Sequence, residues 1–405
     1  MNPFLPLTEM IPDAEARVWA DGRLYLYGSL EQAGVEAWCS GSYKVFSTAD
    51  LVTWTDHGIS FEISQVGFSD APVLFAPDCV YYRGRYYLFF CLPGGREGVA
   101  VADGPAGPFG DASPVAGADG SGIDPAVLID DDGRAYLYWG QDQLYVAELA
   151  EDLRSIIPET LRKGILTGAR HGFHEGASIR KIQGRYYLVY CDDTRGRASC
   201  LSYATADSPF GPFERKGVII DNANCDPLSW NNHGSLCAFN GQWYIFYHRS
   251  SGFSRHNRRA CMEPVTIHPD GGIDEVRMTS SGAERAVDAT RGIDAARVCS
   301  LYGRIYLDRE DSREFLHSEG SFNGAVFRYY RFSGQTRLRA TVRGNGRFAM
   351  SSDSMAAPSL VKIAVDSTNS WSTIECTLDR PLSGVRCLYL DFAEGRVDLL
   401  RIEFS

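Results

Sequence analysis

Five times along the chain a glycine is followed by a polar residue and then by an unbroken aromatic and aliphatic run. The copies are Gly22-Arg-Leu-Tyr-Leu-Tyr-Gly-Ser29, Gly84-Arg-Tyr-Tyr-Leu-Phe-Phe-Cys91 and Gly133-Arg-Ala-Tyr-Leu-Tyr-Trp-Gly140, then Gly184-Arg-Tyr-Tyr-Leu-Val-Tyr-Cys191 and Gly241-Gln-Trp-Tyr-Ile-Phe-Tyr-His248. Such runs favour strands buried on both faces. The residue before each glycine completes Asp-Gly, Arg-Gly, Asp-Gly, Gln-Gly or Asn-Gly, pairs that adopt the positive φ of a tight hairpin turn. Each copy therefore predicts strand, turn and strand, the inner part of a four-stranded blade. Five copies predict an all-β chain built on a five-bladed propeller.

Between the octets, Ser47–Leu51 with Trp54 predicts an outer strand of the first blade. Asp103-Gly-Pro-Ala-Gly-Pro-Phe109 and Asp207-Ser-Pro-Phe-Gly-Pro-Phe213 resemble each other and predict turns at equivalent blade positions. Helical periodicity is scarce, with one short helix expected over 152–163, interrupted by Pro158. The octet pattern stops near residue 282. Further strand-like runs, such as Leu338–Val342 and Cys387–Phe392, predict a separate β-sandwich over 293–405, with the propeller over 1–285.

The strands of a propeller converge on its axis, so polar residues at one phase of the repeat should gather there. Asp13 lies nine residues before Gly22, Asp124 nine before Gly133 and Glu175 nine before Gly184. His233 lies eight before Gly241, and Asp78 six before Gly84. Three carboxylates at one mouth of the axis suit glycosidic cleavage, where one acid donates to the leaving oxygen and another, ionised, activates water. A third, Asp124, would tune Glu175 by its charge. The competing reading is that these acids cap strands and bond to turn amides.

The 405 residues carry a formal net charge of −11, and no Lys/Arg block that could hold a phosphate backbone. A neutral glycan partner fits better than nucleic acid. No apolar stretch reaches the length of a membrane span. The N-terminus lacks the pattern of a secretory signal, and eleven cysteines form no even disulfide framework, so a reducing, cytoplasmic compartment is expected. Asp130-Asp-Asp-Gly133 has the composition of a calcium loop but lacks its spaced ligands, and reads as a turn. His171-Gly-Phe-His174-Glu175 is not the helical zinc pattern.

The chain resembles glycoside hydrolase family 43. The likeness is carried by Asn2-Pro-Phe-Leu-Pro6, Ile11-Pro-Asp-Ala-Glu15, Phe75-Ala-Pro-Asp78 and Gly122-Ile-Asp-Pro125, and by Glu175-Gly-Ala-Ser-Ile-Arg-Lys181, Asn232-His-Gly-Ser235 and Phe246-Tyr-His-Arg249. It implies that Asp13 is the general base, Asp124 the pKa modulator and Glu175 the general acid of an inverting hydrolase. It also implies that Phe75, Asp78, His233 and Arg258 contact substrate, although Arg259 competes with Arg258 for that register. His233 matches an axial histidine that can face a structural calcium ion; no cofactor is otherwise implied. Phe75 stands where the family often has tryptophan and is either an apolar pocket wall or core. The implied substrates are pentose-containing oligosaccharides, from which an exo-acting enzyme would release α-L-arabinofuranose. The alternatives are a β-D-xylosidase, a non-catalytic glycan-binding propeller and a retaining fructosidase-type propeller. The C-terminal segment more weakly resembles a family 6 carbohydrate-binding module; Tyr302, Tyr329 and Trp371 are either stacking platforms or, the reading preferred, core aromatics of a structural sandwich.

Overall fold

The computed structural model describes residues 1–119 and 122–405. Five antiparallel sheets, each in simple sequence order, make a five-bladed propeller. The first blade runs outward through Glu15–Val18, Leu24–Ser29, Ser42–Thr48 and Trp54–Glu62. The next three, over 78–119, 126–167 and 173–221, also have four strands; the fifth, over 236–265, has three. Each octet supplies the second strand of its blade. Leu24–Ser29 and Ala135–Trp139 are buried at every position, as the two-faced apolar pattern requires.

The hairpins before those strands are of two kinds. In the second, fourth and fifth blades the two turn residues both have positive φ: Arg83 (47°) with Gly84 (90°), Gln183 (50°) with Gly184 (82°), and Asn240 (50°) with Gly241 (79°). That is the type I′ geometry, whose twist matches that of the strands. In the first and third blades a longer turn separates the paired ends Val18/Leu24 and Ile129/Ala135.

Apolar cores lie between neighbouring blades rather than within one of them. Phe89 and Val99 of the second blade, for example, pack with Leu137 and Val146's strand neighbour Ala147 of the third. The ring closes between the fifth and first blades, where Phe4 stacks on Trp54 (4.6 Å between centroids) and meets Phe246 edge-on (5.9 Å). Beside it, the Asn2 side chain donates to the Met262 carbonyl (2.9 Å) and accepts from its N–H (3.0 Å). The N-terminal segment thus serves as the missing neighbour of the last blade's outer strand.

Two expectations need correction. Residues 152–163 do not form a helix: Leu153 is left-handed (φ 57°), Pro158–Thr160 is a 3-10 turn, and Arg162 already begins a strand. Proline at 158 removes the amide a helix interior needs. Ser47–Leu51 is not the outer strand. It ends the third strand and turns at Leu51 (φ 62°), and the outer strand starts at Trp54. The Thr48 hydroxyl and Asp50 carboxylate bond to the following amides, an arrangement that favours a turn over a ladder.

The C-terminal domain is also all β. Its long strands Asn323–Ser352 and Val361–Phe404 pair twice, so that Ala340 faces Ile402 on one side and Ile374 on the other. It has its own core, which includes Phe327, Leu338, Phe348 and Leu390. It is seated on the fifth blade: Cys299 and Val326 join that blade's apolar cluster, and Arg328 donates to the Met278 carbonyl (2.9 Å).

Candidate active site

Strand register sorts the axial residues into two tiers. The residue five places after each octet glycine pairs inward with Glu15, Asp78, Ala126 or Ser178, and in the fifth blade Ser235 exchanges backbone hydrogen bonds with Phe246. These five make the deeper tier. Two residues earlier in the chain, towards the mouth, come Asp13, Ala76, Asp124 and His233. Glu175 stands three residues before Ser178, because register shifts at Phe173/Glu175 and Glu175/Ser178 insert an extra residue. The common offset of nine therefore has two origins: a longer hairpin turn in the first and third blades, and a bulge in the fourth.

Both aspartates stand in left-handed backbone, Asp13 at φ 57° and Asp124 at φ 64°. Such a conformation costs about 1–2 kcal/mol per residue outside glycine. Here it aims both side chains at the axis just before each strand begins. Glu175 is followed instead by Gly176 (φ 66°), where an added Cβ would approach the His233 ring to 3.1 Å.

Asp13, Asp124, Glu175, Phe75, His233 and Arg258 all line one cavity of about 300 Å³. Asp78 does not. As a member of the deeper tier it accepts a bidentate bond from Arg17 (2.7–2.8 Å), and Arg17 also meets Glu15 (3.1 Å). Arg180 bonds to Glu15 from the opposite side. Burial pushes the Asp78 carboxyl up to about 6 despite Arg17. Its expected place at the substrate came from the family likeness of Phe75-Ala-Pro-Asp78, a local motif that does not show which tier each residue joins. Phe75 is cavity wall, and Arg258 rather than Arg259 faces inward; Arg259 turns outward to Glu314 of the C-terminal domain.

The three carboxylates have unequal surroundings. Asp13 accepts from Arg258 (2.9 Å) and from the Ser29 hydroxyl (2.6 Å). Burial pushes its carboxyl up, but the Arg258 guanidinium above all, with His233 and the Ser29 hydroxyl, holds it below the usual range. His248 is completely buried, and burial followed by Arg258 lowers it to about 3, so it is a neutral imidazole. Its Nε2 faces the Asn231 carbonyl (3.1 Å), which leaves Nδ1 to accept from the Asp13 amide (3.4 Å). Asp124 has no cation in hydrogen-bond contact. Burial, then the charges of Glu175 and Asp13, push it well above the ordinary carboxylate range. Glu175 accepts from two neutral amides, Gln141 (2.9 Å) and Asn231 (3.3 Å). His233 stands between the pair, 3.9 Å from Asp13 and 3.8 Å from Asp124. Behind Asp124 lies Glu97, whose two oxygens have no hydrogen-bond partner among the described residues; burial, then Asp124, push its carboxyl well above the usual range.

Several cavity residues escaped the repeat-based reading. Gln141 directly follows the third octet, His174 adjoins Glu175 and Asn231 lies two residues before His233, so each shares a mouth with a predicted residue. Trp38 and Trp230 come from irregular loops of the first and fifth blades, and Arg258 lies over the Trp38 ring (4.8 Å). A tryptophan amid polar loop residues was the available signal.

His233 lines the cavity at the mouth of the axis, where a structural calcium ion was expected. A calcium ion takes about six to eight oxygen ligands. One tier below His233, two guanidinium groups already neutralise both acids. Among the described residues no three His, Cys, Asp or Glu side chains are grouped to hold a metal.

Carboxylates unequally charged over a polar cleft at a propeller mouth define a carbohydrate-cleaving class of site. The family model "Glycosyl hydrolases family 43" matches residues 1–273, and the chain belongs to that family. A xylosidase/arabinosidase of Thermoclostridium stercorarium is 30% identical over 96% of this chain and 95% of its own length. A xylosidase/arabinosidase of Bacteroides ovatus is 31% identical over 56% of this chain and 82% of its own. The crystal structure of a family 43 beta-xylosidase/alpha-arabinofuranosidase from a compost microbial metagenome, in complex with xylotriose, superposes with TM-score 0.58 at 32% identity, covering 67% of this chain and 97% of that one. An arabinoxylan arabinofuranohydrolase from Bacillus subtilis, in complex with cellotetraose, has the same fold over 100% of this chain and 97% of its own (TM-score 0.58, 22% identity). The protein is a glycosidase with a five-bladed propeller and a C-terminal β domain.

Proposed function

We propose that this protein is an exo-acting, inverting α-L-arabinofuranosidase acting on arabinoxylan- or arabinan-derived oligosaccharides. The observation that carries the mechanism is the charge asymmetry of the three carboxylates. Asp13, held anionic by Arg258 and Ser29, is the base that takes a proton from the attacking water. Asp124, buried beside the charges of Glu175 and Asp13, has its carboxyl pushed well above the ordinary carboxylate range. Glu175, held by Gln141 and Asn231 at the cavity wall, is the acid that delivers a proton to the leaving oxygen. Attack and departure on opposite faces of the sugar then invert the anomeric carbon in one step.

Phe75, Trp38 and Arg258 line the pocket for the terminal sugar, and a cavity of about 300 Å³ suits one pentose rather than a polymer segment. Hydrolysis runs without a resident metal in this reading, since the axis is closed by Arg17 and Arg180. The eleven cysteines are all unpaired, which supports a reducing compartment. β-D-Xylosidase activity is the second reading, favoured by the joint xylosidase/arabinosidase names of the relatives. Release of nitrophenol from the α-L-arabinofuranoside and the β-D-xylopyranoside ranks the two. Activity on a galactan with neither glycoside cleaved would refute both.

A further inference from the structure

A second cavity, of about 320 Å³, lies where the propeller meets the C-terminal domain. It is built from the same two loops that wall the first. The loop that carries Trp38 into the active site lends it Gly34 and Glu36, and the loop that carries Arg258 lends it Ser251, Gly252 and Asn257. The opposite wall is the C-terminal domain, through Leu307, Asp308, Arg309 and Glu314.

Its chemistry is that of a hydroxyl-binding site. The side chain of Glu314 is 7% exposed and paired with Arg259 through Oε1, while its Oε2 is buried with no hydrogen-bond partner among the described residues. Asn257 accepts from the Gly34 amide through Oδ1, which turns its amide nitrogen towards Gly252 in the cavity wall. Acceptors outnumber cations, which disfavours an anionic ligand, and among the described residues no three of the groups are placed to hold a metal.

Aromatic rings stand in the first cavity and next in the chain to residues that line the second. Trp230, 40% exposed, lines the first cavity and lies under Arg255 (4.8 Å). Phe253, 46% exposed, follows two residues before Arg255 and packs on Tyr306 of the C-terminal domain (5.1 Å between centroids). Apolar sugar faces stack on rings of this kind while their hydroxyls seek acceptors beside them.

We propose that the interdomain cavity is a remote subsite for the leaving-group side of a neutral oligosaccharide, so that the C-terminal domain completes the substrate cleft. This rests on the glycosidase reading of the first cavity. Asp308→Ala and Tyr306→Ala test it, with kcat/KM measured on a xylo-oligosaccharide bearing arabinofuranose and on the nitrophenyl arabinofuranoside. The ratio of the two efficiencies should fall about tenfold, carried by KM, with Asp308→Asn recovering part of it. An unmoved ratio, or equal losses on both substrates, overturns the proposal. If the wild type cleaves neither substrate, the specificity reading fails separately. The subsite is then read by titrating xylo-oligosaccharide onto the full-length Glu175→Gln protein: weaker binding in the Asp308→Ala background supports it, and identical binding refutes it.

Discussion

The two tiers of the propeller axis hold acids at matching blade positions and do opposite things with them. In the deeper tier Glu15 and Asp78 are closed by Arg17 and Arg180, two acids against two bases. In the tier at the mouth three carboxylates face a cavity with one guanidinium among them, and only Asp13 receives it. Buried acids whose charges are cancelled brace a ring of blades. Buried acids left to repel one another must share protons, and shared protons are what acid–base catalysis uses. Proximity to the axis alone does not separate the tiers; the partners do.

The largest expected effect separates the tiers by activity. Glu175→Gln should lower kcat on an unactivated arabinosyl oligosaccharide by about 10²–10⁴-fold, with an unchanged circular-dichroism melt. Asp78→Asn should do the reverse. Removing one partner of a buried ion pair costs about 3–5 kcal/mol of stability, read as a lower melting temperature, while turnover per folded molecule at low temperature survives. An Asp78→Asn protein that is stable but inactive would erase the distinction between the tiers.

A smaller effect sharpens it. Arg258 favours the anion of Asp13, so at low pH activity is lost only once that depressed carboxyl takes up a proton. Arg258→Met removes the opposing charge, and Asp13 then protonates at higher pH. The acid limb of kcat/KM should move up by about one to three units. A limb that stays in place would detach Arg258 from the base. The smallest expected effect is none: dialysis against EDTA should leave the rate as it was, since Arg17 and Arg180 hold the axis. Loss of activity restored by calcium would contradict that.

How much was legible in the chain follows from the same contrast. The octets disclosed the blades because a turn and a doubly buried strand are local, and their pattern repeats. The acids at Asp13, Asp124 and Glu175 were legible through their offset, although the bulge at Glu175 and the longer turns before Gly22 and Gly133 made that offset agree by different routes. Asp78 was placed at the substrate by a family likeness rather than by that offset, and its tier depends on register with the neighbouring strand. Trp38 and Trp230 lie on irregular loops, whose course is set by what they pack against across the molecule. His248 stood within a noted motif, but its part in holding the Asp13 amide is a contact between distant residues and has no sequence period. Trp371, read from the chain as a core aromatic before a sugar platform, is half-buried against Phe315 and Arg343, whereas Tyr302 and Tyr329 are exposed.

The division of labour among Asp13, Asp124 and Glu175 is tested most directly by the configuration of the first sugar released. Proton NMR during the initial turnovers of an arabinofuranosyl substrate, before mutarotation, should show the inverted anomer. A retained anomer would require a covalent intermediate on one of these carboxylates and would contradict the roles assigned to them.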